Sequence, residues 1–419
     1  MPVQDARGSK PVPSSLRRIA TLPLDLHSTA FLEDPAPTLA WLREHDPVHR
    51  SPYGYWLLTR YDDVAAALRD PKLSSDWSRK RGPVDAQADD FARAQQVIFQ
   101  SFNMKDPPAH TRLRKLVQQA FTRAAVDEQR TRVDTLVDEL LDAGATVGSL
   151  DLVTELAFPL TITIASEMIG IPTAERDRFR ASFEDTERLG DPTATPEQRR
   201  AGQDALVWQL AFIGGVVDAR RDDPRADLVS ALVHAEESGE TLTHDEIVAA
   251  LLTLYTAAGT TTERMISSGM LLLLQHPGQW DALVAAPDRV LSGAITEILR
   301  FHHPNQQTTT NRFTLDDIEI AGHTIPAGST VRVALGAANR DPARWTDPER
   351  FDITRPEVVS LGFGQGIHYC IGAPLARMQA SGAVRRIAER FPVVRLSPGE
   401  VRHDPRRMDR YERVLVDLA

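Results

Sequence analysis

Through most of the chain between about residues 105 and 300, apolar residues recur at three- and four-residue intervals. Examples are TRLRKLVQQAFTRAAVDEQRTRVDTLVDELLDA and DALVWQLAFIGGVVDARR. That period lines one face of a helix, so the middle of the chain is predicted to be a succession of amphipathic helices. Strand-like runs are short and lie toward the ends: HRSPYGYWLLTR (49–60), FTLDDIEIAGHTIPAGSTVRVAL (313–335) and RYERVLVDL (410–418). A helical body with small sheets contributed by both ends implies a mainly α fold. No fixed-period repeat, low-complexity tract or Gly/Ser linker interrupts it, which predicts a flexible segment over residues 1–20 followed by one domain over 21–419.

One predicted helix differs from the others. From Thr243 the chain reads THDEIVAALLTLYTAAGTTTERMISSGMLLLLQHPG, with capping-box spacing at Thr243 and Glu246 and a stop at Pro277-Gly278. Its length, about 50 Å at 1.5 Å per residue, is enough to cross a large domain. Glu263 and Arg264 break it into apolar runs too short to span a membrane, so it is read as a buried axis. Its middle is Ala258-Gly259-Thr260-Thr261-Thr262. There glycine costs about 1 kcal/mol relative to alanine, and each threonine several tenths. A packing notch with threonines bonded to the preceding turn accounts for an isolated Gly/Thr pair. Four such residues in a row favour a ligand lying against this turn.

Composition narrows the setting. The 419 residues are 42% apolar and 25% charged, as in ordinary globular proteins, with a formal net charge of −10 that argues against general nucleic-acid binding. The opening MPVQDARGSKPVPSSLRRIA has no apolar core of a signal peptide or anchor, so a cytoplasmic protein without a membrane segment is expected. A single cysteine, Cys370, rules out an internal disulfide.

Cys370 lies in GFGQGIHYCIG, among Gly362, Gly364, Gly366 and Gly372, where backbone can approach a flat partner closely. The helical IGAPLARMQASGAVRRIAERF follows, with Pro374 tolerable in its first turn. A sulfur at a helix N-terminus is favoured as thiolate. A core role fits this glycine-rich loop poorly. As a nucleophile Cys370 would have only His368, two residues away on a tight loop, as its base, with no orienting third residue. Zinc would need three further ligands at regular spacing. An axial thiolate to a haem iron remains.

The stretch Phe363 to Gly372 resembles the haem-binding signature F-x-x-G-x-x-x-C-x-G of the cytochromes P450, and the following GAPLAR is typical of soluble bacterial members. Glu297 and Arg300 in TEILR match the family's E-x-x-R, and Pro348-Glu349-Arg350-Phe351 its P-x-R-F. As bare chemistry an i,i+3 pair is usually a weak surface bridge; the resemblance makes Glu297, Arg300 and Arg350 a buried network behind the haem loop. His110 and Arg114 match the family's H-x-x-x-R, with a spacing that puts both cations on one helix face. With Arg312 and His368 they are the implied partners of the haem propionates. The matches run in family order from about Trp41 to the C-terminus.

The resemblance implies the mainly helical P450 fold with small β-sheets, the long helix crossing the distal face of haem b. It also implies a thiolate ligand, Cys370, that pushes electron density onto iron, with Phe363, Gly364 and Gly372 in the haem-contacting loop. In the family motif (A/G)-G-x-(D/E)-T the glycine opens room for dioxygen and the threonine hydroxyl relays protons. Ala258, Gly259 and Thr262 fit, but Thr261 stands where an acid is usual. Glu263 is about 100° further round the helix and should not substitute directly. Thr261 is expected to help hold water.

The implied activity is oxygen-dependent oxidation of a small molecule, with electrons from NAD(P)H through a separate ferredoxin or flavodoxin, by a monomer. Substrate contacts are expected from residues 76–102, from around 179–198, from Met408-Asp409-Arg410 and from Gln306, Gln307 and Thr308 to Thr310. If the 306–310 strand faces the pocket rather than solvent, polyketides, cyclic peptides or alkaloids fit better than alkanes. Arg112, Arg114, Lys115, Arg123, Arg377, Arg385, Arg386 and Arg390 are expected to form a basic face for an acidic redox partner, although solvated helix faces explain the same charges. The leading reading is a monooxygenase of secondary metabolism. Oxidative coupling or ring closure without oxygen insertion, and a non-catalytic haem-binding or sensing protein, are the alternatives.

Overall fold

A computed structural model describes residues 25–418 except 27, 82–88, 191–193, 238, 306–310, 357–358, 405–407 and 409. The proposed N-terminal segment 1–20 and the polar stretch 306–310 thus lie outside the described residues. The helices that position the site are α1 (Ala109–Ala120), α2 (Arg123–Val147), α3 (Phe158–Met168), α4 (Arg176–Glu187), α5 (Pro196–Asp222), α6 (His244–Gln275), α7 (Pro287–Phe301) and α8 (Ala373–Arg390). No helix among the described residues is long and apolar enough to cross a membrane.

The long helix α6 has 32 residues and begins with the expected capping box. The Thr243 N–H donates to Glu246 Oε2 at 2.8 Å, and the Glu246 N–H donates to Thr243 Oγ1 at 3.3 Å. It ends at His276, and Pro277 then opens the next short helix, Pro277–Ala285, where a missing N–H at the first position costs nothing. Two apolar clusters meet on α6. Ile247 to Tyr255 pack with α1 and α5, whereas Met265 to Leu273 pack with α2, α3, α7 and α8. The awkward turn 258–262 lies between them.

Strands form where expected, at Val48–Arg50, Tyr55–Leu58, Arg312–Thr314, Thr330–Val333 and Tyr411–Leu418. The first four join Leu73–Ser74 in a five-stranded sheet, in which Tyr55–Leu58 runs parallel to Thr330–Val333. The strand Val394–His403 was not legible, because Pro398 and Gly399 interrupt it. A register shift between Leu396 and Val401 takes both out of the ladder with Tyr411–Leu418, and Gly399 adopts φ +76°. Ser149–Asp151, from the middle of the chain, completes that antiparallel sheet.

Candidate active site

The loop before α8 is set by backbone bonds. Cys370 N–H donates to the Phe363 carbonyl at 3.0 Å, Gly364 N–H to Leu361 at 2.9 Å and Tyr369 N–H to Gly366 at 3.1 Å. Gly364 and Gly366 have φ of +70° and +75°, and a methyl group on Gly366 would sit 2.6 Å from the Leu68 carbonyl oxygen. Only glycine satisfies both constraints. The loop presents a half-buried Cys370 to a cavity of about 290 Å³. Phe363, Gly364, His368 and Gly372 share this wall, and Ala258, Thr261 and Thr262 of α6 lie on the lining with them. Burial pushes the Cys370 thiol up; N–H groups of Gly372 and Ala373 and the Arg114 charge act in the opposite direction. The helix N-terminus is therefore outweighed by desolvation, and a cation bound at the sulfur would reverse that balance.

Two arginines and two histidines gather at the cavity edge. His110 and His368 meet edge to face with ring centroids 4.5 Å apart. Arg114 donates to the Tyr369 carbonyl at 2.6 Å, and Arg312 is buried. Burial and the neighbouring arginines lower His110 to about 4 and His368 to about 3; burial lowers Arg312 to about 10. Asp106, which also faces His110 and Arg312, is engaged by Arg79 at 3.1 Å and by the Ser75 N–H at 3.0 Å. Both ring nitrogens of His110 are buried without a hydrogen-bond partner among the described residues. Orphaned nitrogens of a neutral histidine beside two like-charged arginines fit a bound group that brings carboxylates. A flat group with two acid side chains, lying between the sulfur and α6, satisfies this donor set, and haem is such a group.

Behind the loop, Arg300 and Glu297 are 1% and 3% exposed and form a bidentate pair at 2.7 and 2.8 Å. Arg300 also donates to the carbonyls of Asn339, Pro348 and Arg350, while Asn339 Oδ1 accepts the Leu361 N–H at 2.8 Å. The pair is thereby tied to the start of the cysteine loop. The expected third member is corrected: Arg350 contributes only its carbonyl, and its guanidinium turns outward to Asp352 at 3.4 Å. Arg355 takes the place instead, 3.4 Å from Glu297 and nearly buried. His303 was not anticipated. It is 3% exposed, donates from Nε2 to the Gly362 carbonyl at 2.8 Å and accepts the Asn305 N–H at Nδ1, 2.9 Å. The one available signal was its place three residues after Arg300.

On α6, the Thr261 hydroxyl donates to the Ala257 carbonyl at 2.6 Å, the local back-bond open to any helical threonine. Thr262 is 4% exposed, and Gly259 is buried. Glu263 occupies the opposite face, where Ser267 donates to it at 3.1 Å, and burial holds its carboxyl above the usual range. It does not replace the missing acid. Phe183, Glu184 and Arg410 also lie behind α6, lining a separate cavity of about 20 Å³ with Gly259 and Thr260, so these expected substrate contacts do not reach the main cavity. Asp409 lies outside the described residues.

The expected basic face is largely balanced by acids. Arg112 pairs with Glu246, Arg385 with Asp288, Arg386 with Asp138, and Arg390 with Asp138 and Asp142. Arg123 lies 3.7 Å from Asp127, and Arg377 donates to Thr296 while its guanidinium covers the Phe363 ring. Ile367 and Tyr369, on the cysteine loop, are 48% and 45% exposed.

A long central helix facing a cysteine loop across a cavity edged by cations matches known proteins throughout. Residues 211–409 match the family profile Cytochrome P450. The chain is 40% identical over 88% of each sequence to the cytochrome P450 monooxygenase PikC of Streptomyces venezuelae. It is 39% identical to the 6-deoxyerythronolide B hydroxylase of Saccharopolyspora erythraea, over 90% of this chain and 93% of the other. The structure of PksS, a cytochrome P450 of the Bacillus subtilis bacillaene polyketide synthase, superposes with a TM-score of 0.84 at 31% identity, covering 94% of this chain and 100% of the other. The chain belongs to the cytochrome P450 family. It is a bacterial-type haem monooxygenase with the mainly helical fold of that family.

Proposed function

We propose that Cys370 is the axial thiolate of haem b and that the enzyme oxidises a polyketide-like secondary metabolite. When bound, haem supplies oxygen activation. The chain's own residues hold, orient and supply protons. His110, Arg114, Arg312 and His368 receive the two propionates, and Phe363, Gly364 and Gly372 form the proximal bed. Ala258 leaves room for dioxygen, whereas Gly259, expected to share that role, lies on the separate cavity behind α6; Thr262 hands on protons, and Thr261 accepts a hydrogen bond from water while its own proton is committed to Ala257. The observation that carries the cofactor assignment is the pair of cations Arg114 and Arg312, with the orphaned nitrogens of His110, around the cavity that holds the one cysteine.

The substrate class is supported by the names of the relatives and by the lining, in which Leu254, Met265 and Leu299 dominate and Asn103, Thr253 and Asn305 add a few polar groups. A large apolar molecule with scattered oxygens suits such a wall. Electrons come from NAD(P)H through a separate ferredoxin or flavodoxin. Because the neighbouring arginines are internally paired, the exposed Ile367 and Tyr369 make the docking contact more apolar than charged. The enzyme is read as a cytoplasmic monomer.

The hydroxyl at position 261, in place of an acid, favours one further reading, oxidative coupling or ring closure. Turnover of a panel of macrolactones, cyclic peptides and alkaloids with NADPH and a surrogate ferredoxin system separates the two by product mass. A macrolactone product heavier by one oxygen supports the proposal. Products that only lose two hydrogens support coupling, and conversion confined to cyclic peptides or alkaloids rejects the substrate class.

A further inference from the structure

Gly259 is, proline apart, the least favourable kind of residue for the middle of a helix. The usual excuse for such a glycine, a neighbour too close for a side chain, does not hold here: an added methyl would meet Ile162 Cδ1 at 3.5 Å, an ordinary contact. The space behind it is loose as well, since the cavity of about 20 Å³ adjoins Gly259, Thr260, Phe158 and Ile162. What singles out Gly259 is its carbonyl. The Thr161 hydroxyl of α3, in a side chain with no exposed surface, lies 3.0 Å from Gly259 O. The same hydroxyl is 3.2 Å from Phe158 O in its own helix, so its one proton is shared, with the cross-helix acceptor the nearer.

We infer that Thr161 is a positioning residue, which grips the Gly259 carbonyl and so holds the turn of α6 from which Thr262 lines the cavity. A helical carbonyl at 259 is the acceptor for the N–H of Glu263, and Thr262 lies within that turn. A second donor on the same oxygen draws the carbonyl out of line, and a side chain entering the ladder is one of the few causes of a helix bend. Glycine at the receiving end lowers the cost of the distortion. A threonine bonded only to its own preceding turn would be routine; a fully buried hydroxyl nearer to the neighbouring helix is not. With slack packing on this side, the bond rather than steric fit holds the turn.

This role rests on the reading of Thr262 as proton relay, and the two can fail separately. Thr161→Val keeps the shape and removes the hydroxyl, while Thr161→Ser keeps the hydroxyl. In full-length haem-loaded enzyme, amide hydrogen exchange of peptides from α6 reads the hold on this turn without turnover. Peroxide released per NADPH, with a surrogate ferredoxin and no substrate, reads the relay. The valine variant is expected to raise exchange over 259–264 by about threefold or more, the lower end of what one buried hydrogen bond protects, and to leave 245–252 unchanged. Peroxide leakage rises with it, and the serine variant restores both. Unchanged exchange in the valine variant, a rise along all of α6, or a serine variant as impaired as valine each overturns the inference. If exchange responds as expected but Thr262→Ala leaves leakage unchanged, the bond stands and the relay reading falls.

Discussion

The two walls of the cavity are held in different ways. On the cysteine side, backbone bonds within the loop, the Arg300–Glu297 pair, Asn339 and His303 all converge on residues 361–370. Each partner is itself buried or bonded, so the loop is fixed from several sides. On the α6 side the wall is one helix face carrying Ala258, Thr261 and Thr262, with Thr261 bonded to its own helix and Thr161 reaching across to Gly259 behind it. The first wall resists change through many contacts, with the charge-assisted bonds of Arg300 behind them; the second depends on a few neutral hydroxyls, each worth little alone. The proposed roles differ in the same way: a metal ligand needs a fixed place, whereas proton transfer needs groups able to reorient.

Substitutions should separate the walls in order of size. Cys370→Ser is expected to abolish the ferrous-CO absorbance of thiolate-ligated haem and all turnover, and survival of that band would remove the axial assignment. Glu297→Gln leaves the Arg300 charge buried and unbalanced, which costs roughly 3–5 kcal/mol. Urea unfolding of the haem-loaded protein should show that loss, accompanied by weaker haem retention.

Acid tests the same wall. Full burial holds His303 at about 4, below the ordinary 6.5, so its folded form stays neutral while the unfolded form gains a proton. The stability present above pH 6.5 is therefore lost as pH falls toward 4. From this one residue the loss at pH 5 is about 2 kcal/mol. His303→Gln, which can still donate to Gly362, should flatten the decline between pH 7 and 5. The smallest effects belong to the α6 wall. Thr262→Ala is expected to lower product formed per NADPH by roughly tenfold, equivalent to about 1.4 kcal/mol. Thr261→Val should stay within about twofold, because its hydroxyl already serves Ala257.

Much of this was legible in the chain because it is local. The capping box of α6, the glycines around Cys370, the i,i+3 pair at 297 and 300 and the i,i+4 pair at 110 and 114 are all short-range patterns with a physical reason for their spacing. What escaped depends on distant partners. Nothing near Arg350 shows that its guanidinium leaves the network, or that Arg355 enters. The arginines of α8 look like a free basic surface until α2 brings Asp138 and Asp142 against them. His303 and Thr161 read as ordinary helix-end and helix-interior residues, since their acceptors, Gly362 and Gly259, are 59 and 98 positions away. The strand at 394–403 was hidden by Pro398 and Gly399, which a bulge accommodates.

The contact of Gly366 with the backbone at Leu68 also bears on how the protein is made. These two residues leave the ribosome far apart in time, and the same delay applies to the sheet that pairs Tyr55–Leu58 with Thr330–Val333. Helices can form as they emerge, but these long-range closures must wait for the last part of the chain. Until α7 and α8 arrive, the apolar residues 265–273 of α6 lack much of their covering. Haem capture is accordingly a late step in biogenesis, and a translation product cut short before residue 366 would be a substrate for chaperones and proteases rather than a cofactor-binding intermediate.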